Sequence, residues 1–178
     1  MKTTLRLCIG IGVIVLIVVG VDLYWHEYFP RRFFVVEEGT LFRGARQRDR
    51  ALEGILEKHD CRTVLSLTGG VESNAEVTRD RGLRYMAYNW NGSGIGPYEE
   101  YRDVARILAD EERQPVFYHC AGGRHRTNAA TFAYQLESGA TEGEAFEHIV
   151  RYGFDREEDE KLAAHLEGYA AWYREQSE

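Results

Sequence analysis

The segment His119-Cys120-Ala121-Gly122-Gly123-Arg124-His125-Arg126-Thr127 holds the residue types of this chain best able to do chemistry. Five residues lie between a cysteine and an arginine, with small residues directly after the cysteine. That arrangement suits a tetrahedral oxyanion. Ala121, Gly122 and Gly123 leave room for successive backbone N–H groups to turn inward as an anion nest. A helix expected from about residue 126 aims its positive end at the same point. Both effects lower the pKa of Cys120, and the thiolate is the nucleophilic form. Arg126 has the planar fork that grips two phosphate oxygens, a geometry a lysine lacks. Thr127 is expected to donate its hydroxyl to the Cys120 sulfur and ease its departure. His119 is expected to order the loop from behind. Arg124 and His125 are candidate substrate contacts, with solvated loop residues as the alternative.

The elements that must position this loop follow from periodicity. Residues 33–36 read as a strand, Glu38-Gly39 as a turn and residues 40–43 as the returning strand of a hairpin. Ala51, Leu52, Ile55 and Leu56 recur at helical spacing within 46–60. Residues 63–67 form a β-rich run ended by Gly69-Gly70, a buried strand. Ser73 and Glu76 have capping-box spacing and open a helix expected to end at Gly82. A strand over 83–88, a loop over 89–96 and a helix opening at Pro97 come next. Residues 115–119 read as the strand that delivers Cys120, and 126–138 as the helix behind it. Two further helices are expected near 142–151 and 157–173, the acidic run 155–160 capping the last. Alternating strands and helices imply crossovers, hence an α/β domain with a mostly parallel central sheet of four to five strands flanked by helices. Ligands bind beyond the carboxyl ends of such strands, where Cys120 falls.

The chain of 178 residues has 22 basic and 29 acidic residues and a net charge of -7, which argues against non-specific nucleic-acid binding. Three cysteines are too few for a disulfide framework or a tetrahedral zinc site. Residues 7–21 carry no charge. As a helix they would rise about 22 Å, against a hydrocarbon core of roughly 30 Å. With Leu23, Tyr24 and Trp25 extending them, residues 7–25 are expected to be a single transmembrane anchor, a cleavable signal segment being the alternative. Residues 1–6 would stay cytoplasmic, 26–32 form a linker and 33–178 the catalytic domain, placed outside the cytoplasm, in the periplasm. Cys8 and Cys61 read as small buried apolar residues.

The loop from His119 to Thr127 resembles the signature of the cysteine-dependent protein tyrosine phosphatase superfamily, in its small dual-specificity branch. Residues 40–47 and 62–67 are similar to the opening hairpin and first parallel strand of compact bacterial members, and the likeness spans about 33–152. Arg124-His125 before Arg126 is similar to the loop of plant and fungal members acting on inositol pyrophosphates. The resemblance implies phosphomonoester hydrolysis with Cys120 forming a phosphocysteine, Arg126 stabilising the transferring phosphoryl group and Thr127 assisting its release. It implies no metal or organic cofactor, and as partner a phosphorylated protein or small phosphorylated ligand. One departure stands out: the family places a general-acid Asp about thirty residues before the cysteine, and residues 88–97 contain no carboxylate. The alternatives are a catalytically weak phosphate-binding module, a phosphatase of inositol phosphates or pyrophosphates, and sulfur transfer, to which a five-residue gap is poorly suited.

Overall fold

The computed structural model describes residues 2–176, and the surroundings of their side chains except at 2–10, 23 and 26. The chain runs α1 (Lys2–Tyr28), β1 (Phe34–Glu37), β2 (Leu41–Ala45), α2 (Asp49–Lys58), β3 (Thr63–Ser66), α3 (Glu72–Asp80) and β4 (Arg84–Ala87). Then come α4 (Tyr98–Ala109), β5 (Val116–Cys120), α5 (His125–Glu137), α6 (Glu142–Val150) and α7 (Glu160–Glu175). The sheet has five strands in the order β1-β2-β5-β3-β4. Only the β1–β2 hairpin is antiparallel. β5 lies at the centre, with Gly44 and Ala45 of β2 opposite His119 and Cys120, and Ser66 of β3 also opposite His119.

Burial explains this order. Every residue of β2, β3 and β5 is buried, as parallel strands covered on both faces must be. One face packs Leu65, Tyr118 and Cys120 against α4, α5, α6 and α7. The other packs Phe42, Val64 and Phe117 against Leu52, Ile55 and Leu56 of α2. The expected elements are all present, with instructive shifts. β1 reaches Glu37 because its pairing with β2 slips between Val35 and Glu37. α3 starts at Glu72, so Ser73 is already inside the helix and caps nothing; Val71 precedes it without a side-chain cap. The chain's capping box is instead at Thr141 and Glu144. α5 begins one residue early, which brings His125 into its first turn.

α1 extends beyond the segment expected over 7–25 and continues to Tyr28. From Ile11 to Val21 its large apolar side chains are 49–73% exposed. The expectation of a transmembrane anchor is not carried by the structure: among the described residues no helix is long and apolar enough to cross a membrane. The apolar run with described side chains, 11–21, rises about 16 Å, well short of a hydrocarbon core of roughly 30 Å. Positions 7–10 and 23 of the expected segment lie outside the residues whose side chains are described, as does Cys8. Residues 26–32 are not a free linker. Glu27 pairs with Arg48 at 3.4 Å, Tyr28 accepts from Arg50 at 3.0 Å, and Gln47 bonds both the N–H and the carbonyl of Arg31.

Candidate active site

Cys120 ends β5, and the chain turns through residues 121–124 into α5. Gly123 makes the turn possible. Its φ is +66°, and a Cβ there would lie 2.5 Å from the backbone nitrogen of Ala45. The Gly123 N–H donates to the Cys120 sulfur at 3.1 Å. Burial by itself would push this thiol up. The backbone N–H groups of Thr127 and Arg124, the Arg126 guanidinium and the Gly123 N–H outweigh it, and the pKa falls below the ordinary thiol value. Cys61, in the opposite cluster, has no such donors, and burial with the nearby Asp60 charge pushes it up to about 12.

Arg126 follows in the first turn of α5. Its Nη1 donates to the Trp90 carbonyl at 3.2 Å, and it forms no ion pair among the described residues. A guanidinium held by one neutral carbonyl is available to an oxyanion. Thr127 differs from expectation. Its hydroxyl donates to the Arg124 carbonyl at 3.1 Å rather than to the sulfur, and accepts from Arg43 at 2.6 Å. It is the Thr127 backbone N–H that serves the sulfur. His119 is fully buried behind the loop and stacks on Phe117; neither ring nitrogen has a hydrogen-bond partner. Burial, aided by the Arg46 and Arg126 charges, pushes its pKa down to about 3, so it packs as a neutral ring.

Ala121 and Gly122 form the exposed lip of the loop, and the Gly122 carbonyl accepts from Arg32 at 3.1 Å. Arg124 swings toward the turn before α7, where it pairs with Glu158 at 3.0 Å and Asp159 at 3.4 Å. His125 also meets Asp159, at 3.1 Å. The acidic run therefore restrains two residues of the loop. The expected capping is not made: Asp155 accepts the N–H groups of Glu157 and Glu158 in the turn before α7, and Asp159 at the N-cap makes no side-chain cap bond.

Residues 88–97 lie across the start of α5, and alternate carbonyls hold them there. Trp90 accepts from Arg126, Gly92 faces His125 at 3.3 Å, Gly94 accepts from Tyr101, and Gly96 from His165 at 2.9 Å. Gly94, at φ +86°, approaches so closely that a Cβ would lie 3.0 Å from the His125 carbonyl.

Arg43, Arg32 and Asp159 complete the surroundings of the loop without having been singled out as site residues. Arg43 is fully buried beneath it, donating to Thr127, to Thr131 at 2.9 Å and to the Gly123 carbonyl at 3.3 Å, with the Tyr152 ring 4.4 Å away. An arginine in a strand otherwise built of small and apolar residues was the available signal. Among the described residues no group of three or more His, Cys, Asp or Glu is placed to hold a metal ion.

No family model matches the sequence. Solved structures do match the fold. The core catalytic domain of the PP-IP phosphatase SIW14 from S. cerevisiae aligns at 20% identity and TM-score 0.63 over 79% of this chain and 87% of its own. P. aeruginosa TpbA aligns at 22% identity and TM-score 0.64 over 78% and 84%. Tk-PTP, in a mutant form, aligns at 16% identity and TM-score 0.69 over 80% and 96%.

Proposed function

We propose, for a chain that has the fold of the cysteine-based protein tyrosine phosphatases, that it hydrolyses phosphomonoesters through a phosphocysteine on Cys120. The carrying observation is a buried sulfur with a lowered pKa at the focus of backbone N–H groups, beside a guanidinium that has no acidic partner among the described residues. The thiolate attacks phosphorus, the S–P bond forms and the P–O bond to the leaving group breaks. Arg126 exchanges the Trp90 carbonyl for two phosphoryl oxygens. Water then attacks the phosphocysteine, and the S–P bond breaks to return the thiolate and free phosphate. The full chain should release phosphate from an aryl phosphate, and Cys120→Ser should reduce that release to background. Activity that survives the substitution overturns the assignment.

Among substrates, one observation favours ligands with more than one phosphate, inositol phosphates or pyrophosphates included. Arg32, Arg124 and Arg151 line a cleft of about 320 Å³ beside the loop, together with Tyr152. SIW14 is titled a PP-IP phosphatase, and PTPMT1, a further fold neighbour at TM-score 0.58, is solved with PI(5)P. TpbA is solved with pTyr, which keeps phosphorylated proteins in the comparison. A release panel across these classes separates them. A second reading, a phosphate-binding module with little turnover, is favoured by the absence of a carboxylate from residues 88–97. It predicts phosphotyrosine binding with negligible release in the same assay.

With a cleavable signal segment as the remaining reading of residues 7–25, the placement of this domain outside the cytoplasm is proposed from Lys2 and Arg6 preceding the apolar stretch. A C-terminal reporter active only outside the cytoplasm should be active, and an inactive reporter on a full-length product overturns the placement.

A further inference from the structure

Resting on that phosphatase reading, we propose that His125, positioned by Asp159, gives the leaving oxygen its proton and so fills the role for which residues 88–97 offer no carboxylate.

His125 opens α5 and directly precedes Arg126. Its Nε2 lies 3.1 Å from a carboxylate oxygen of Asp159, and its Nδ1 lies 3.3 Å from the Gly92 carbonyl. Both neighbours only accept hydrogen bonds. A protonated ring can donate to both at once, one N–H to each.

The two protons are not equivalent. Asp159 has a side chain only 7% exposed, and the N–H of Asp155 at 3.2 Å and Arg124 at 3.4 Å also fix it. It anchors Nε2–H. The Gly92 contact is the longer one, and the His125 side chain is 37% exposed, so Nδ1–H is the proton free to move. His125, Ser93 and Asp159 line a common cleft of about 310 Å³. The same cleft brings Glu157, Glu158, Glu160 and Lys161 toward the ring from the start of α7, with Arg124 and Arg126 flanking it on its own segment. Glu100 is a poorer donor, since its carboxylate accepts the Trp90 indole N–H at 2.7 Å.

In the first step the Cys120 sulfur bonds phosphorus, the P–O bond breaks, and Nδ1–H passes to the departing oxygen. In the second, water adds its oxygen to phosphorus and its proton to Nδ1 as the S–P bond breaks. Thiolate and imidazolium are both restored.

The test compares the full chain with Cys120→Ser, His125→Gln and Asp159→Asn on two substrates: dinitrophenyl phosphate, with a good leaving group, and phenyl phosphate, with a poor one. His125→Gln should lose about 10²-fold on phenyl phosphate and less than about tenfold on dinitrophenyl phosphate. The ratio of the two rates is insensitive to how much of the variant is folded. Asp159→Asn, which removes the anchor of the ring, should likewise lose more on phenyl phosphate than on dinitrophenyl phosphate. Equal loss on both substrates, in His125→Gln or in Asp159→Asn, overturns the assignment. An inactive Cys120→Ser beside either result leaves the phosphatase reading standing. An unaltered chain without turnover overturns both.

Discussion

Cys120 and Cys61 are both buried and reduced, yet their surroundings drive them in opposite directions. Donors directed at Cys120 lower its pKa, whereas Cys61 is pushed up to about 12. Alkylation of the folded chain near pH 7, read by peptide mapping, should modify Cys120 and spare Cys61. Equal labelling would remove the electrostatic basis of the nucleophile. Arg43 lies beneath the loop within Coulombic reach of Cys120, and among the described residues it forms no ion pair. Arg43→Met keeps much of the volume and removes the charge. Its alkylation profile at Cys120 should move to higher pH, with kcat/KM down about tenfold or more. An unmoved profile would reduce Arg43 to packing. His119 sets a pH dependence of stability. Its folded pKa, pushed down to about 3, lies below the unfolded value of 6.5. Above pH 6.5 both states are neutral at this ring. As pH falls below that, the unfolded chain takes up a proton that the folded chain refuses until about pH 3. Stability then declines by about 1.4 kcal/mol per pH unit from this group. Denaturant midpoints at pH 7 and pH 5 should separate less in His119→Gln than in the unaltered chain.

At the scale of elements, the loop depends on close backbone approach as much as on side chains. Gly123→Ala would drive a methyl into the backbone of β2 at a positive φ, opening the nest. Its kcat/KM should fall by about 10²-fold or more, with a lowered Tm, since a donor aimed at developing charge is worth about that much. A variant of unchanged activity would mean that the nest is not used. The elements themselves were legible in the sequence wherever burial enforces period: all five strands and the helices between them follow from apolar spacing. Boundaries were less so. Ser73 and Glu76 have the spacing of a cap, but α3 starts at Glu72, and spacing alone does not reveal where a helix begins. The site divides the same way. Cys120, Arg126 and the small residues are neighbours in sequence, and their geometry follows from the strand, the turn and the helix. Asp159 lies 35 residues from Arg124, and only the packing of α7 beside α5 brings them together.

For the whole molecule, α1 presents a shell of exposed valine, isoleucine and leucine on one end of a domain whose other large apolar residues are nearly all inside. Contiguous apolar surface of that kind drives association in water. Full-length protein should sediment as aggregates in buffer alone and as a single species in detergent micelles. A detergent-independent monomer would show that α1 folds back onto the domain. The sequence marked this segment as apolar but not how firmly it is seated, because the bonds from Glu27, Tyr28 and Arg31 to the domain join residues 16–22 apart. The clasp of residues 88–97 by Arg126 has an unusual corollary. An arriving oxyanion competes with the Trp90 carbonyl for one guanidinium, so filling the bowl unfastens its own cover. Ligands ordinarily slow amide hydrogen exchange around the place they occupy. Here vanadate, as a phosphate mimic, should protect the amides of 121–127 while accelerating exchange across 91–95, a see-saw legible in a single mass spectrum.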